Sequence, residues 1–475
     1  MRSRTLDSPV PNLLPALFLA AFAAALVLTT DSLGAMRLVF VGVILVPVGV
    51  YFLSRNATAA LAALIVSSAM PRYFATVGAT KVRPEHVAVG MVLMALVFLY
   101  RRDRQVPRWI FADVLLLAYV ALNLYSSTFR SVDPAQTLKW SIQQVLVIAA
   151  YFLIRFLAGN EEKFGLAVQI MLLVGSIAGV YAALCFYSNI WFGTDFGLDS
   201  TQYEYGEIPA VYGTQFESNL LGSYCAACLV LMVVMYFRKP DRKYLWGIGA
   251  TYMGLLVSFS RAALLSAMVA LLGLTVYTIV SRATTRATLL KLTAVFLAVS
   301  ILVGAAVVPM YVQRFSSVDV SDPAADANTR VRLLTLGVAL TQILESPVFG
   351  SGTSSFQLMF DTKEIGFFEE EGSGWISNTE IRVLHDTGAI GLVVFAWFVL
   401  DLIIRGIRDA RRSRSPELSG LLLSSVVYFI AFQATEGTLL AFSWVHLGLI
   451  AAAIAIYKNA GTEAKTAPAA ATGNA

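Results

Sequence analysis

WISNTEIRVLHDTGAIGLVVF, Trp375–Phe395, joins a polar, charged approach to the abrupt start of an apolar helix. It closes a long hydrophilic excursion, residues 310–382, in a chain that is otherwise largely apolar. Working outward from it, 57% of the residues are hydrophobic, 14% are charged and the mean hydropathy is +0.71. That balance excludes an ordinary soluble domain and describes a polytopic membrane protein.

A helical span needs roughly 20 apolar residues to cross about 30 Å of hydrocarbon. Fourteen runs meet or approach that length: 12–30, 35–53, 57–72, 85–101, 109–126, 136–157, 164–188, 217–237, 244–259, 262–280, 289–309, 383–404, 418–435 and 438–457. Two of them, 57–72 and 244–259, are short, so the expected number is 12 to 14. The runs lack the alternation of an outer-membrane barrel strand, which leaves an all-α bundle. The expected organisation is transmembrane helices over 1–309, one large extracytoplasmic loop over 310–382, three more spans over 383–457 and a disordered cytoplasmic tail over 458–475. The tail, AGTEAKTAPAAATGNA from Ala460, has no large apolar residue with which to pack.

Cations orient the bundle. With the N-terminus inside, Arg101, Arg102, Arg104 and Arg108, then Arg238, Lys239, Arg242 and Lys243, then Arg282, Arg286 and Lys291, then Arg405, Arg408, Arg411, Arg412 and Arg414 all fall on the cytoplasmic side. Most of the 35 Lys and Arg share that side, as the positive-inside rule requires. The net charge of +5 follows from this topology, so it argues neither for a nucleic-acid partner nor for an acidic protein partner, and no nucleic-acid partner is expected. The cationic N-terminus and first run read as a retained span, since thirteen more follow and no cleavage site precedes a soluble domain. Cys185, Cys225 and Cys228 lie inside spans, and the CAAC of 225–228 reads as small residues on a packing face.

Two outer loops are large enough to build a site, 189–216 and 310–382. In the second, TRVRLLTLGVALTQILES at 329–346 has helical periodicity, with Leu333, Leu336 and Leu340 on one face and Asn328 or Thr329 as cap. Arg330 and Arg332 then occupy the first turn, where the helix dipole disfavours a cation by a few tenths to about 1 kcal/mol. Free backbone N–H groups and two guanidinium forks there suit a diphosphate. Arg261, in LLVSFSRAALLSAM, sits where two apolar runs meet at the outer face, and a cation so near hydrocarbon is a functional candidate. Arg72, Lys81, Arg83 and Arg130 add to the outer positive charge.

In order along the second half, four segments carry a family resemblance: GTQFESNLLGSY at 213–224 with Asn219, SFSRAALLSA around Arg261, the arginine-led helix ending ILESPVFGSG at 343–352, and SNTEIRVLHDTGAIGLVVF from Ser377, with Asn378, Gly388 and Gly391 in register. The chain resembles the O-antigen ligase and polysaccharide polymerase superfamily of bacterial inner-membrane proteins. The resemblance implies a GT-C-like membrane glycosyltransferase acting on an undecaprenyl-diphosphate-linked glycan at the outer face, within the membrane lipid, in company with a chain-length regulator and a flippase. Arg261, Arg330 and Arg332 would neutralise the leaving diphosphate, and no cofactor or metal is implied.

One departure bears on mechanism: where the family pattern has histidine, this chain has Ser377. That tilts the reading from ligase to polymerase. His385, eight residues on, reads as an interfacial histidine at the head of a span. Glu380 and Asp386 are the carboxylates in the motif, and Glu380, three residues after Ser377, is the candidate general base beside the catalytic Arg261. Glu369, Glu370 and Glu371 read as a solvated run. The competing class is transport, whose signature would be buried charges in repeated halves and helices broken at the bilayer midplane.

Overall fold

The computed structural model describes residues 46–77, 80–103, 109–198, 209–280, 286–316, 327–359 and 376–466. The run at 12–30, most of that at 35–53, the acidic residues 369–371 and the last nine residues lie outside them. Fourteen helices are named here in chain order: α1 Ala57–Ser68, α2 Pro84–Asp103, α3 Phe111–Phe129, α4 Pro134–Leu157, α5 Glu161–Phe192, α6 Ser218–Arg238, α7 Arg242–Val257, α8 Arg261–Val280, α9 Arg286–Ser316, α10 Ala327–Glu345, the single turn α11 Phe356–Met359, α12 Thr379–Ser413, α13 Pro416–Ala431 and α14 Ala441–Thr466. Among the described residues one antiparallel hairpin departs from the helical plan, Ala75–Val77 against Thr80–Val82 between α1 and α2.

Every run expected from position 57 onward corresponds to a helix, but length and composition qualify fewer as spans. Seven helices among the described residues are long and apolar enough to cross a membrane, and α1, α2, α8 and α13 contribute shorter apolar stretches. The structure therefore supports an all-helical polytopic bundle and not the number fourteen. Several ends also move. Helix α9 passes through Pro309 to Ser316, α12 begins at Thr379, and α14 continues to Thr466, past the boundary drawn at 457. Helix α10 starts at Ala327, so Asn328 and Thr329 lie within it rather than capping it. The largest change is between α13 and α14: residues 432–440 form an extended turn where the runs 418–435 and 438–457 leave only two residues.

Local sequence accounts for the starts. Asp133 and Ser415 accept a backbone N–H two or three residues into α4 and α13, each with proline at the first helical position, and Asn160 and Asp241 cap α5 and α7. Helix α6, uniformly apolar, is buried almost throughout and packs against α5, α7, α8 and α13. Lipid-facing surface falls instead on the outer helices, where Leu272, Ile301, Leu302 and Ile404 are exposed.

Small residues bring the backbones close. A side chain at Gly254 of α7 would sit 2.7 Å from the Gly179 Cα of α5, and one at Gly175 would meet the Cys228 sulfur at 2.6 Å. Cys185, Cys225 and Cys228 are free and buried, consistent with the packing role expected of them.

Helix α12 breaks inside its span. Gly388 has φ 68° and ψ −174°, a conformation open essentially to glycine alone, and an added Cβ would run into the Val348 carbonyl. The segment 347–354 fills the break: Ala389 N–H donates to the Pro347 carbonyl at 2.8 Å, and Gly352 N–H donates to the Asp386 carbonyl at 3.0 Å. Gly391, the other motif glycine, abuts the Thr387 side chain one turn earlier. Gly388→Ala is expected to destabilise the detergent-solubilised protein by about 1–3 kcal/mol or more, read as a lowered Tm. An unchanged Tm would contradict the packing described.

Candidate functional site

The polar ends of many helices meet at one end of the bundle. The α12 half ahead of Gly388 is started by Asn378, whose side-chain oxygen accepts the Ile381 N–H at 2.9 Å. Its residues then face inward. Arg382 is buried and donates through Nε to Asp386 Oδ2 at 3.3 Å, through Nη2 to Ser354 Oγ at 3.0 Å and through Nη1 to Glu436 Oε2. Both carboxylates are about as buried as the guanidinium, with side-chain exposures of 4% for Asp386 and 7% for Glu436. Three charges removed from water are tolerable only when each is paired and its remaining donors or acceptors are satisfied. The backbone N–H of Ser354 meets this need for Asp386 at 3.1 Å, and Thr438 N–H for Glu436 at 2.7 Å.

His385 extends the cluster to the loop helix. Its Nδ1 lies 3.2 Å from Asp386 Oδ1 and its Nε2 2.8 Å from Gln342 Oε1 on α10, with Phe356 edge-on to the ring. The expected interfacial histidine is thus a buried bridge between α10 and α12. Behind it a second polar layer fastens segment 347–354 to α3 and α4: Thr353 Oγ1 donates to Asn123 Oδ1 at 2.6 Å, Ser127 and Ser141 hydroxyls lie 2.6 Å apart, and Asn123 Nδ2 donates to Gln144 at 3.1 Å.

The turn 432–440 gathers three of the predicted site residues, Glu380, Asn378 and Arg332. Gln433 Nε2 donates to both oxygens of Glu380, at 2.9 and 3.0 Å, while Asn378 Nδ2 donates to Gln433 Oε1 at 2.9 Å. The next carbonyl, Ala434, accepts from Arg332 Nη1. Glu380 and Arg332, 48 positions apart in sequence, are therefore held by adjacent residues of one turn. Thr435 Oγ1 donates to Glu217 Oε2 at 3.3 Å at the head of α6, two residues before Asn219. Leu439 carbonyl accepts from Arg83, whose guanidinium stacks 4.6 Å above the Phe216 ring, and Arg72 stacks 3.9 Å above Tyr212. Arg330 is exposed in the first turn of α10.

Arg261 opens α8 at this same end, since Ser258 follows the C-terminus of α7, whose Val257 carbonyl accepts from Val211 N–H just ahead of α6. One turn along α8, Leu264 begins the lining of an apolar cleft of about 930 Å³ between α7, α8 and α9. Met268, Val308 and Val312 line it and are also exposed, so the cleft opens sideways onto the apolar exterior.

Sequence reading singled out Glu380, Arg261, Arg330, Arg332, Asn378 and the glycines, but passed over Arg382, Glu436, Gln342 and Gln433. Arg382 and Asp386 at i, i+4 were a readable signal. Glu436 was hidden because its turn was absorbed into two apolar runs. Residues 246–398 match the family model described as O-antigen ligase, a span that holds Arg261, Arg332, Glu380 and Arg382 and stops short of Glu436. No curated protein matches the chain. Arg382→Met is expected to cost roughly 3–5 kcal/mol of stability by stranding two buried carboxylates. Combining it with Asp386→Asn and Glu436→Gln should recover much of the Tm in detergent. Equal losses in the single and triple variants would contradict the ion-pair account.

Proposed function

We propose, from the match of residues 246–398 to the family model described as O-antigen ligase, that this chain is a member of the O-antigen ligase and polymerase superfamily and transfers glycan from an undecaprenyl-diphosphate carrier at the outer face of the bacterial inner membrane. The observation that carries the reading is the convergence of Arg332 and Glu380 on one turn, at the end of the bundle where Arg261 opens the helix whose Leu264 lines an apolar cleft. The cleft has the polarity and lateral opening that a polyprenyl tail requires. Arg261, Arg330 and Arg332 supply the positive charge that a diphosphate requires.

In this reading an acceptor sugar hydroxyl attacks the anomeric carbon of the donor. The new C–O bond forms as the bond to the diphosphate breaks, and the electron pair leaves with the diphosphate. Guanidinium groups stabilise that developing charge electrostatically. The hydroxyl proton passes to the Glu380 carboxylate, which the Gln433 amide orients. The cationic ends of α6, α7 and α12 lie at the opposite end of the bundle, which under the positive-inside rule supports a site on the outer face, the placement that the proposed GT-C-like arrangement with cytoplasmic termini requires.

Ser377 in place of the family histidine favours polymerisation of repeat units, while the family description itself favours ligation to a second acceptor. Purified protein incubated with a lipid-diphosphate oligosaccharide, alone and with a lipid A core acceptor, separates the two: lengthened lipid-linked product marks a polymerase and transfer to the core marks a ligase. No product from either acceptor would refute both and favour transport. Arg332→Ala should reduce donor use about tenfold, with Lys intermediate because it keeps the charge and loses the fork. Equal activity of the two variants would contradict diphosphate binding there. Glu380→Gln should lower kcat about 100-fold with protein levels unchanged; a normal kcat would remove it as base.

A further inference from the structure

The proposed base and a proposed diphosphate ligand are both held by the 432–440 turn, so whatever fixes that turn fixes them together. Glu436 is the residue that does so. Its Oε1 accepts from the Thr438 backbone N–H at 2.7 Å and from the Thr438 hydroxyl, which closes the turn on itself. Its Oε2 accepts from Arg382, which ties the closed turn to the first half of α12. The far side of the turn is pinned to α14 by Trp444 Nε1 on the Thr438 carbonyl at 2.7 Å. Three and two residues before Glu436, Gln433 holds Glu380 and the Ala434 carbonyl holds Arg332.

We propose that Glu436, clamped by Arg382, is a positioning residue for glycan transfer: it sets the 432–440 turn so that Gln433 orients the Glu380 carboxylate and the Ala434 carbonyl orients the Arg332 guanidinium. This rests on the roles given above to Glu380 and Arg332. Glu436 acts through its neighbours, so its removal must show in their functions. With the charge gone, the turn loses its buried ionic tie to α12 and keeps only the bonds at Phe432 and Gln433, so the Ala434 carbonyl that aims the Arg332 fork is held less firmly. Buried groups acting as one unit give non-additive effects when deleted together, whereas independent groups multiply.

The test is steady-state kinetics of the purified full chain with a lipid-diphosphate oligosaccharide donor, for Glu436→Gln, Arg332→Ala and the double variant. Glu436→Gln alone should raise the donor KM about tenfold and lower kcat. In the Arg332→Ala background the same change should move donor KM less than about twofold, because the group it positions is already absent. Should Glu436→Gln not elute as a monodisperse protein, Glu436→Asp carries the test, since it keeps the charge and shortens the reach by one methylene. It should show a weaker form of the same pattern. A full multiplicative effect of the Glu436 change on the Arg332→Ala defect overturns the positioning role and leaves the reading of Arg332 intact. An unchanged donor KM in Arg332→Ala alone removes that reading, and this proposal with it.

Discussion

A guanidinium buried between two carboxylates organises this protein. Arg382 cannot sit in the bundle unless Asp386 and Glu436 are both in place, and neither carboxylate can be buried there without Arg382. The groups come from separate parts of the architecture: Arg382 and Asp386 from the first half of α12, Glu436 from the turn before α14, and Ser354, a fourth contributor, from the loop segment. Meeting the electrostatic requirement therefore fixes three otherwise separate backbone segments against one another. His385 and Gln342 carry the same constraint to α10, so the loop helix is built into the bundle and does not merely rest on it.

The break at Gly388 is what makes room for this. An unbroken α12 would leave no free N–H groups for the Pro347 carbonyl and no space for the chain at Gly350, where an added Cβ would sit 2.5 Å from the Asp386 backbone carbon. The break and the inserted segment complete each other's backbone hydrogen bonds, a condition any interrupted helix must meet away from water. The hydroxyl and amide layer of Asn123, Ser127, Ser141 and Thr353 secures the insertion from behind. Polar side chains in a membrane helix are tolerated when they satisfy one another, as these do.

The sequence made the bundle legible because hydrocarbon imposes a length and a polarity on every span, and twelve of the expected runs correspond to helices. It made Gly388 and Asn378 legible because motif spacing is local, and it singled out Glu380 and Arg332 as candidates, although the start of α10 at Ala327 puts Arg332 past the first turn in which it was expected. Residues defined by partners far along the chain were not legible. Glu436 lies among Thr, Gly and Ala between two apolar stretches, and only its pairing with Arg382, 54 positions away, makes it more than a short polar interruption. Helix ends near a site suffered for the same reason: the turn of 432–440 carries enough apolar residues for a hydropathy reading to run through it. His385 lies in the first half of α12, but its burial and its bridge to Gln342 depend on how α10 docks, which no periodicity reports.

All of this places the arginines, the proposed base and the cleft at one end of the helices, opposite the cationic ends that the positive-inside rule assigns to the cytoplasm. The account stands or falls on which compartment that end faces. A topology reporter fused after Asp361, between α11 and α12 in the sequence, measures it directly. The account predicts a reporter active only outside the cytoplasm. Activity only in the cytoplasm would strand these guanidinium groups away from any exported glycan and contradict the account at its base.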